Sequence, residues 1–542
     1  MRTKKKTNTK AAKNGMQTKN TKRSETDFER KSAERREPKE SLPESKGFND
    51  FAWYSANPLL TEASARIPFP YRPGMKVGVV DATSNKTLNV DRTIPGIATL
   101  HWAPSVGQSS SPTDPASIAA KEIYAKVRAS FSGTLDADAP DFVIYLLALD
   151  SIFSYIGSLK RVYRILDAYT YDNYTWPDGL LAALIPGLPG STSMNVINDL
   201  KSNKALLWQN INELVGMTRK FRCPDIFPLF RRHYWLNDGL YTDAPSANSQ
   251  TYLFRQQAFY KFGLDTISGD IQVGSVSLVQ PAWTTTQGAF EFGRELIDAL
   301  AASEDAYTIS GYLTRSFADT PIFVVDELQQ YEPLTPYYLP EVLEQIHNSQ
   351  CVSSPTSVGT VLTSAKVTQN PATNAIVSAP ANGSATSLDL AITPKLSLSA
   401  MVPSTIDVVE GSRLAAYLDH NNAGAIICGT EIPLFWNIIN GVDATFTEFV
   451  ASNLNTIISA DLDGKAENFL IAPSFDMLQA MSAFDWAPRL TYGMTQVIAS
   501  ASQVVKAWEV WDIHNVTQLT EQDVKNINKM CLLSEFSSFG SF

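Results

Sequence analysis

The sequence predicts a mostly α fold with a minor β component, and three observations carry that expectation. Residues 141–169 are apolar nearly all round in their first half and amphipathic in their second, the pattern of a helix inside a core. Apolar residues recur at helical spacing in several further segments, including Ile197, Leu200, Leu207, Ile211 and Leu214. Strand-like runs are fewer and short, and no repeat of fixed period is present.

Taken in order, the first 47 residues predict no fixed structure. Up to residue 46 only Met16, Phe28 and Leu42 follow the initiator as large apolar residues, too little to offset chain entropy. Aromatics begin abruptly at Phe48, Phe51, Trp53 and Tyr54, marking the start of ordered protein. Residues 57–115 carry eight prolines and read as an irregular arm with little helix, save a short strand at 97–102. A helix then opens at Pro115, with Ile118, Ile123, Tyr124, Val127 and Phe131 on one face and Gly133 as the stop.

Within the apolar run 141–169, Asp150 must find a donor, because a buried carboxylate without one is costly. Further helices are expected at 192–221, 250–262, 289–300, 303–317 and 444–458. Strands are expected at 275–280, 322–326 and 425–439, the last interrupted by Gly429 and Pro433. Thr520 through Asp523 form a capping-box start for a final helix through Val524, Ile527 and Met530. Between Tyr338 and Tyr417 lie 78 residues without an aromatic side chain, and 353–399 is rich in Ser, Thr, Ala and Asn. That composition reads as a surface-projecting insertion between ordered flanks.

Charge divides the chain. Residues 1–46 hold 15 Lys and Arg against 7 Asp and Glu, which leaves 30 basic and 48 acidic groups on the rest. The first 24 residues contain nine basic side chains, Arg2, Lys4, Lys5, Lys6, Lys10, Lys13, Lys19, Lys22 and Arg23, and no acidic one. An unstructured polycation of this kind binds polyphosphate by counterion release, without sequence readout. It lacks aromatics, so base stacking is not available to it. A nuclear-import signal is the plainer reading of Lys4, Lys5 and Lys6, but basic residues recur over 23 positions instead of forming one short cluster.

The search for catalytic chemistry returns nothing. Gly464-Lys465 is followed by Ala466 and cannot complete a phosphate-binding loop, and neither HExxH nor GxSxG occurs. Asp461 and Asp463 suggest a calcium loop until its twelfth position, which is Ala472 where a Glu is needed. His101, His233, His347, His420 and His514 stand singly, and a core or solvated histidine is the simpler reading of each. No catalytic residue, metal site, cofactor or small-molecule substrate is therefore expected. Four dispersed cysteines fit a reduced compartment, and neither a secretory signal nor a membrane span is read.

Residues 140–186, PDFVIYLLALDSIFSYIGSLKRVYRILDAYTYDNYTWPDGLLAALIP, and 219–237, RKFRCPDIFPLFRRHYWLN, resemble picobirnavirus capsid proteins. Partitivirus coat proteins and those of other small double-stranded RNA viruses share the plan and remain alternatives, as does a cytosolic enzyme with a basic targeting terminus. The resemblance implies a helical shell domain with an inserted projecting domain of loops and short strands. Its limits would be a disordered basic arm at 1–47, shell at 48–265, the insertion at 266–430 and shell again at 431–542. It further implies homodimers that build an icosahedral virion around genomic RNA, with assembly in the host-cell cytoplasm. Cleavage of the N-terminal segment and membrane perturbation also come with the family.

Overall fold

The computed structural model describes residues 49–69, 79–80, 87–88, 96–170, 175–186, 191–245, 249–267, 271–332, 334–353, 357–383, 394–419, 422, 424–440, 447–451, 457–458, 484–498, 501–512 and 514–537. Two units are distinguished, Met1–Pro70 and Tyr71–Phe542.

In the first unit, Asn57 accepts hydrogen bonds from the Leu59 and Leu60 N–H groups, and Pro58 occupies the first turn of the helix Pro58–Ala65. An Asn-Pro pair is a good helix start, because the cap satisfies free N–H groups and proline has none to satisfy. Phe51, Trp53, Tyr54, Leu59, Leu60, Ile67 and Phe69 are each at least 62% exposed.

In the second unit the chain is built around one helix, Ala139–Asp167, 29 residues long. Asp141 accepts from the Asp138 N–H at 2.7 Å and fixes its start. Nearly every side chain from Ala139 to Leu166 is buried, as an apolar circumference requires. By length and composition this helix could cross a bilayer, but here it is the core. The helices Pro115–Ser130, Lys204–Thr218, Pro228–Asp238 and Thr286–Ala301 pack around it. Two glycines allow the closest approaches. A Cβ on Gly157 would lie 3.0 Å from the Tyr234 ring, and one on Gly293 would lie 2.8 Å from Leu214 and 2.9 Å from Tyr155.

Beside the helices stands a five-stranded sheet, in the order Thr447–Ala451, Glu431–Asn440, Ile97–Pro104, Thr251–Gln256, Tyr241–Thr242. Ile97–Pro104 pairs antiparallel with Glu431–Asn440 and parallel with Thr251–Gln256, and all eight of its residues are buried. Pro433 lacks an N–H to give the ladder, and the register shifts between it and Phe435. The expected strand 425–439 is thus two strands, Ala425–Ile427 and Glu431–Asn440, with Pro433 carried inside the second as an irregularity.

The mostly α expectation holds, with helices dominating and strands in the minor share. Several elements differ. The helix read at 250–262 is two strands, Thr251–Gln256 and Phe259–Ile267. Its first half is buried on both faces, so the alternation that marks a strand is absent. Described parts of 444–458 are also strand, Thr447–Ala451 and Ile457–Ile458. Asn203 divides 192–221 into Ser191–Ser202 and Lys204–Thr218. Residues 322–326 make no ladder, only a single bridge from Ile322 to Pro224.

Elements beyond residue 266 share the main core. Helices Thr286–Ala301 and Glu304–Ser316 bury Phe290, Leu296, Ile297, Ile309 and Leu313 in the same cluster as the long helix. The aromatic-poor stretch is packed where it is described. Val358, Val361, Leu362 and Ala365 join a cluster with Ala103 and Ile432 of the sheet, and Val367 and Ile376 are fully buried. Small apolar residues fill space between elements there without aromatics.

Candidate functional site: a buried charge cluster

Asp150, on the inner face of the long helix, is fully buried and lies 2.6 Å from His233 Nδ1 of the helix Pro228–Asp238. The donor that the sequence demanded is this imidazole. His233 Nε2 is 3.8 Å from Glu431 Oε1, the first residue of Glu431–Asn440. Arg232, the neighbouring residue on the same helix, bonds that carboxylate through Nε. Arg413 Nη2 reaches Glu431 Oε2 at 2.7 Å and also bonds Glu535, on the C-terminal helix Glu521–Glu535. The Thr430 hydroxyl touches both carboxylates, 3.1 Å from Glu431 Oε2.

The charges balance. Arg232 and Arg413 offset Glu431 and Glu535, and the Asp150–His233 pair is neutral while it keeps one proton. Burial alone would raise Glu431, but Arg232, Arg413 and His233 together hold it down at about 2. Burial would lower Arg413, yet Glu431 and Glu535 raise it above the ordinary arginine value. Burial pushes Asp150 up against the pull of His233. His233 is driven down by burial and raised on balance by Asp150, Glu431 and Glu535. The pair therefore keeps its proton above the ordinary histidine range.

An acid, an imidazole and a second acid in line would suit proton transfer. Here Asp150, His233 and Glu431 have no exposed side-chain surface, so no substrate can reach them. What the cluster does is join the long helix, the helix Pro228–Asp238, the sheet and the C-terminal helix through one set of charge-assisted bonds. Thr520 caps that last helix, and Asp523 accepts from the Thr520 N–H at 2.9 Å, as the capping box predicted.

Of the other described histidines, two are held inside the fold, and His514 is exposed beside Asp512. His101 stacks on Phe435 at 4.1 Å and meets Gln257 at 2.9 Å, while His347 lies against the carbonyls of Ala487 and Asp512. Among the described residues, no three His, Cys, Asp or Glu side chains converge as metal ligands. The Asp461–Asp463 spot and His420 lie outside the described residues, as do all nine basic residues of the arm from Arg2 to Arg23. Arg413 and Glu535 were not singled out from sequence. They sit 122 positions apart, and nothing local marks them as partners.

Among the described residues this buried cluster ties helices and sheet together, and comparison with known families gives the chain its class. The model of the family described as picobirnavirus, capsid protein, matches residues 53–447. The chain belongs to that family. It is 26% identical over 528 residues to the capsid protein precursor of human picobirnavirus (strain Human/Thailand/Hy005102/-), covering 90% of each sequence. A crystal structure of the picobirnavirus capsid shares the fold at a TM-score of 0.68 and 21% identity, covering 90% of this chain and 98% of that one. The chain is thus a virion component and a structural capsid protein, with no enzymatic role.

Proposed function

We propose that this capsid protein assembles as symmetric dimers into an icosahedral shell around double-stranded RNA, with the basic arm inside and in contact with the genome. Assembly takes place in the host-cell cytoplasm, where the reduced state of the cysteines is kept. The observation that carries the reading is the charge division, a net +8 over residues 1–46 against −18 over the remainder. Arg2, Lys4, Lys5, Lys6, Lys10, Lys13, Lys19, Lys22 and Arg23 would neutralise phosphates, while the acidic body keeps the polymer off its own surface. Closed symmetric assembly needs no catalytic constellation.

The test is a deletion of residues 2–46, followed by electron microscopy and the absorbance ratio at 260 and 280 nm. Shells should still form and carry less RNA. An unchanged ratio refutes the role of the arm, and a chain that remains a small discrete species with or without it refutes the assembly reading.

A further inference from the structure

The strands Leu490–Ile498 and Ala501–Val510 pair antiparallel, and one buried histidine touches the chain at both feet of that pair. His347 is 3% exposed and ends the helix Pro340–His347, whose Val342, Leu343 and Ile346 are buried with Trp436 of the five-stranded sheet. Its Nδ1 lies 2.9 Å from the carbonyl oxygen of Ala487, ahead of the first strand. Its Nε2 lies 3.0 Å from the carbonyl oxygen of Asp512, beyond the second. The ring stacks on Trp511 with centroids 5.9 Å apart and meets Trp486 edge to face at 6.3 Å.

Carbonyl oxygens only accept. A neutral imidazole has one N–H, so one of the two contacts is then a hydrogen bond and the other is not, whereas a charged ring donates to both. Its surroundings give a charged ring little else. The carboxylate that acts on it is Asp512, which is 63% exposed and lies 3.5 Å from His514 Nε2. Glu509 on the second strand is bridged by Lys395 at 2.6 Å and lies 3.6 Å from Arg489. Asp485 on the first foot is exposed, and Glu344, one turn back on the same helix, accepts from the Ser399 N–H at 2.6 Å. The nearby cations are His514 and Arg489, whose guanidinium is 5.7 Å from the centre of the Trp511 ring. Burial outweighs the two carbonyls and Asp512, with His514 adding to it, and holds His347 below the ordinary histidine range.

We propose that His347 is an acid-released latch on this strand pair, closed over both feet while the ring is neutral and opened when the ring takes up a proton. Proton uptake favours the state in which water reaches the ring, because there the charge escapes the desolvation penalty. His514, once protonated, works in the same direction, since two imidazolium groups and Arg489 then gather around the exposed Asp512 carboxylate. The helix Pro340–His347 stays in place through its apolar face, so the strand pair is the part that moves.

Hydrogen exchange of the full chain tests this, read from about pH 7.5 to about pH 5.5 in peptides covering 484–489 and 510–514 and corrected for the intrinsic pH dependence of exchange. Opening of both feet should rise by up to about tenfold for each pH unit below the ordinary histidine value. Protection of Glu431–Asn440 should hold, which separates a local release from global unfolding. His347→Gln keeps an amide donor but does not titrate, and should remove the rise. His514→Asn takes the second imidazole from an exposed position and should make the rise smaller. Protection that grows in acid would mean that the charged ring ties down both carbonyls, and it overturns the proposal. No change in the wild type, an equal loss in His347→Gln, or an undiminished one in His514→Asn does the same.

Discussion

The nine cations of the arm and the two cations of the buried cluster are the same chemistry in opposite sequence settings. Residues 2–23 space their charges with Thr, Asn and Ala, in a stretch with almost no apolar content. Arg232 and Arg413 sit among Asp150, His233, Glu431 and Glu535, with bonds set to a few tenths of an ångström. Charge on a chain with nothing to pack is counted by number, so position along it matters little. Charge inside a core is judged by geometry, because each member left without its partner keeps the full desolvation penalty.

The largest effect expected from this contrast is at Arg413. Arg413→Met leaves Glu431 and Glu535 facing each other in the core and should cost about 3–5 kcal/mol, read as a fall in the midpoint of denaturant unfolding. Adding Glu535→Gln to it should recover part of the loss, because the negative charge in excess of Arg232 is then gone. A single variant that unfolds at the wild-type midpoint would mean the cluster does not hold the C-terminal helix.

Packing supplies the next effect and serves as a control without charge. Gly293→Ala puts a methyl 2.8 Å from Leu214 and 2.9 Å from Tyr155, both buried, so that one of them must shift. Overpacking of this kind costs about 1–3 kcal/mol, measured on the same unfolding curve. Its cost should not change with pH, unlike that of the cluster.

The amount of this legible beforehand follows a physical line. The long helix was read within two residues at each end, because an apolar run that cannot be a loop and is too long for a strand leaves one option. Asp150 was flagged for the same reason, since a lone carboxylate in such a run demands a donor. The identity of that donor was not legible. His233 is 83 positions away, and only the packing of two helices brings it to 2.6 Å. The strand Thr251–Gln256 was mistaken for helix because burial on both faces removes periodicity, and sheet neighbours at Ile97–Pro104 and Tyr241–Thr242 decide its state. Local patterns report on which face is wet, and they fall silent where no face is.

Acid and alkali separate the two regions next. The Asp150–His233 pair keeps its proton in the folded chain, whereas an unfolded histidine loses it near pH 6.5. Its stabilisation is therefore complete below about pH 6.5 and is lost as pH rises through the higher folded value. The pair's share of stability should fall from pH 6 to pH 9, by about 1.4 kcal/mol for each unit by which the folded value is raised. It is read against Asp150→Asn, because burial lowers His101 and His347 and makes them push the other way in both proteins. Asp150→Asn should flatten that slope, and a slope of equal size in the variant would assign it to other groups. The arm contributes nothing to this window, because lysine and arginine remain charged throughout it.

The smallest expected effect is the sharpest test of the comparison. Scrambling residues 2–23 keeps nine positive charges and discards their order. If the arm acts by counterion release alone, RNA affinity, its salt dependence and the unfolding midpoint should all match the wild type within error. Arg413→Lys is the converse. It keeps the charge but cannot reach Glu431 and Glu535 with one planar group, so stability should fall although net charge does not change. A scrambled arm with altered RNA content would show that its sequence is read. The arm would then belong with the core as a region where placement, and not sum, decides the outcome.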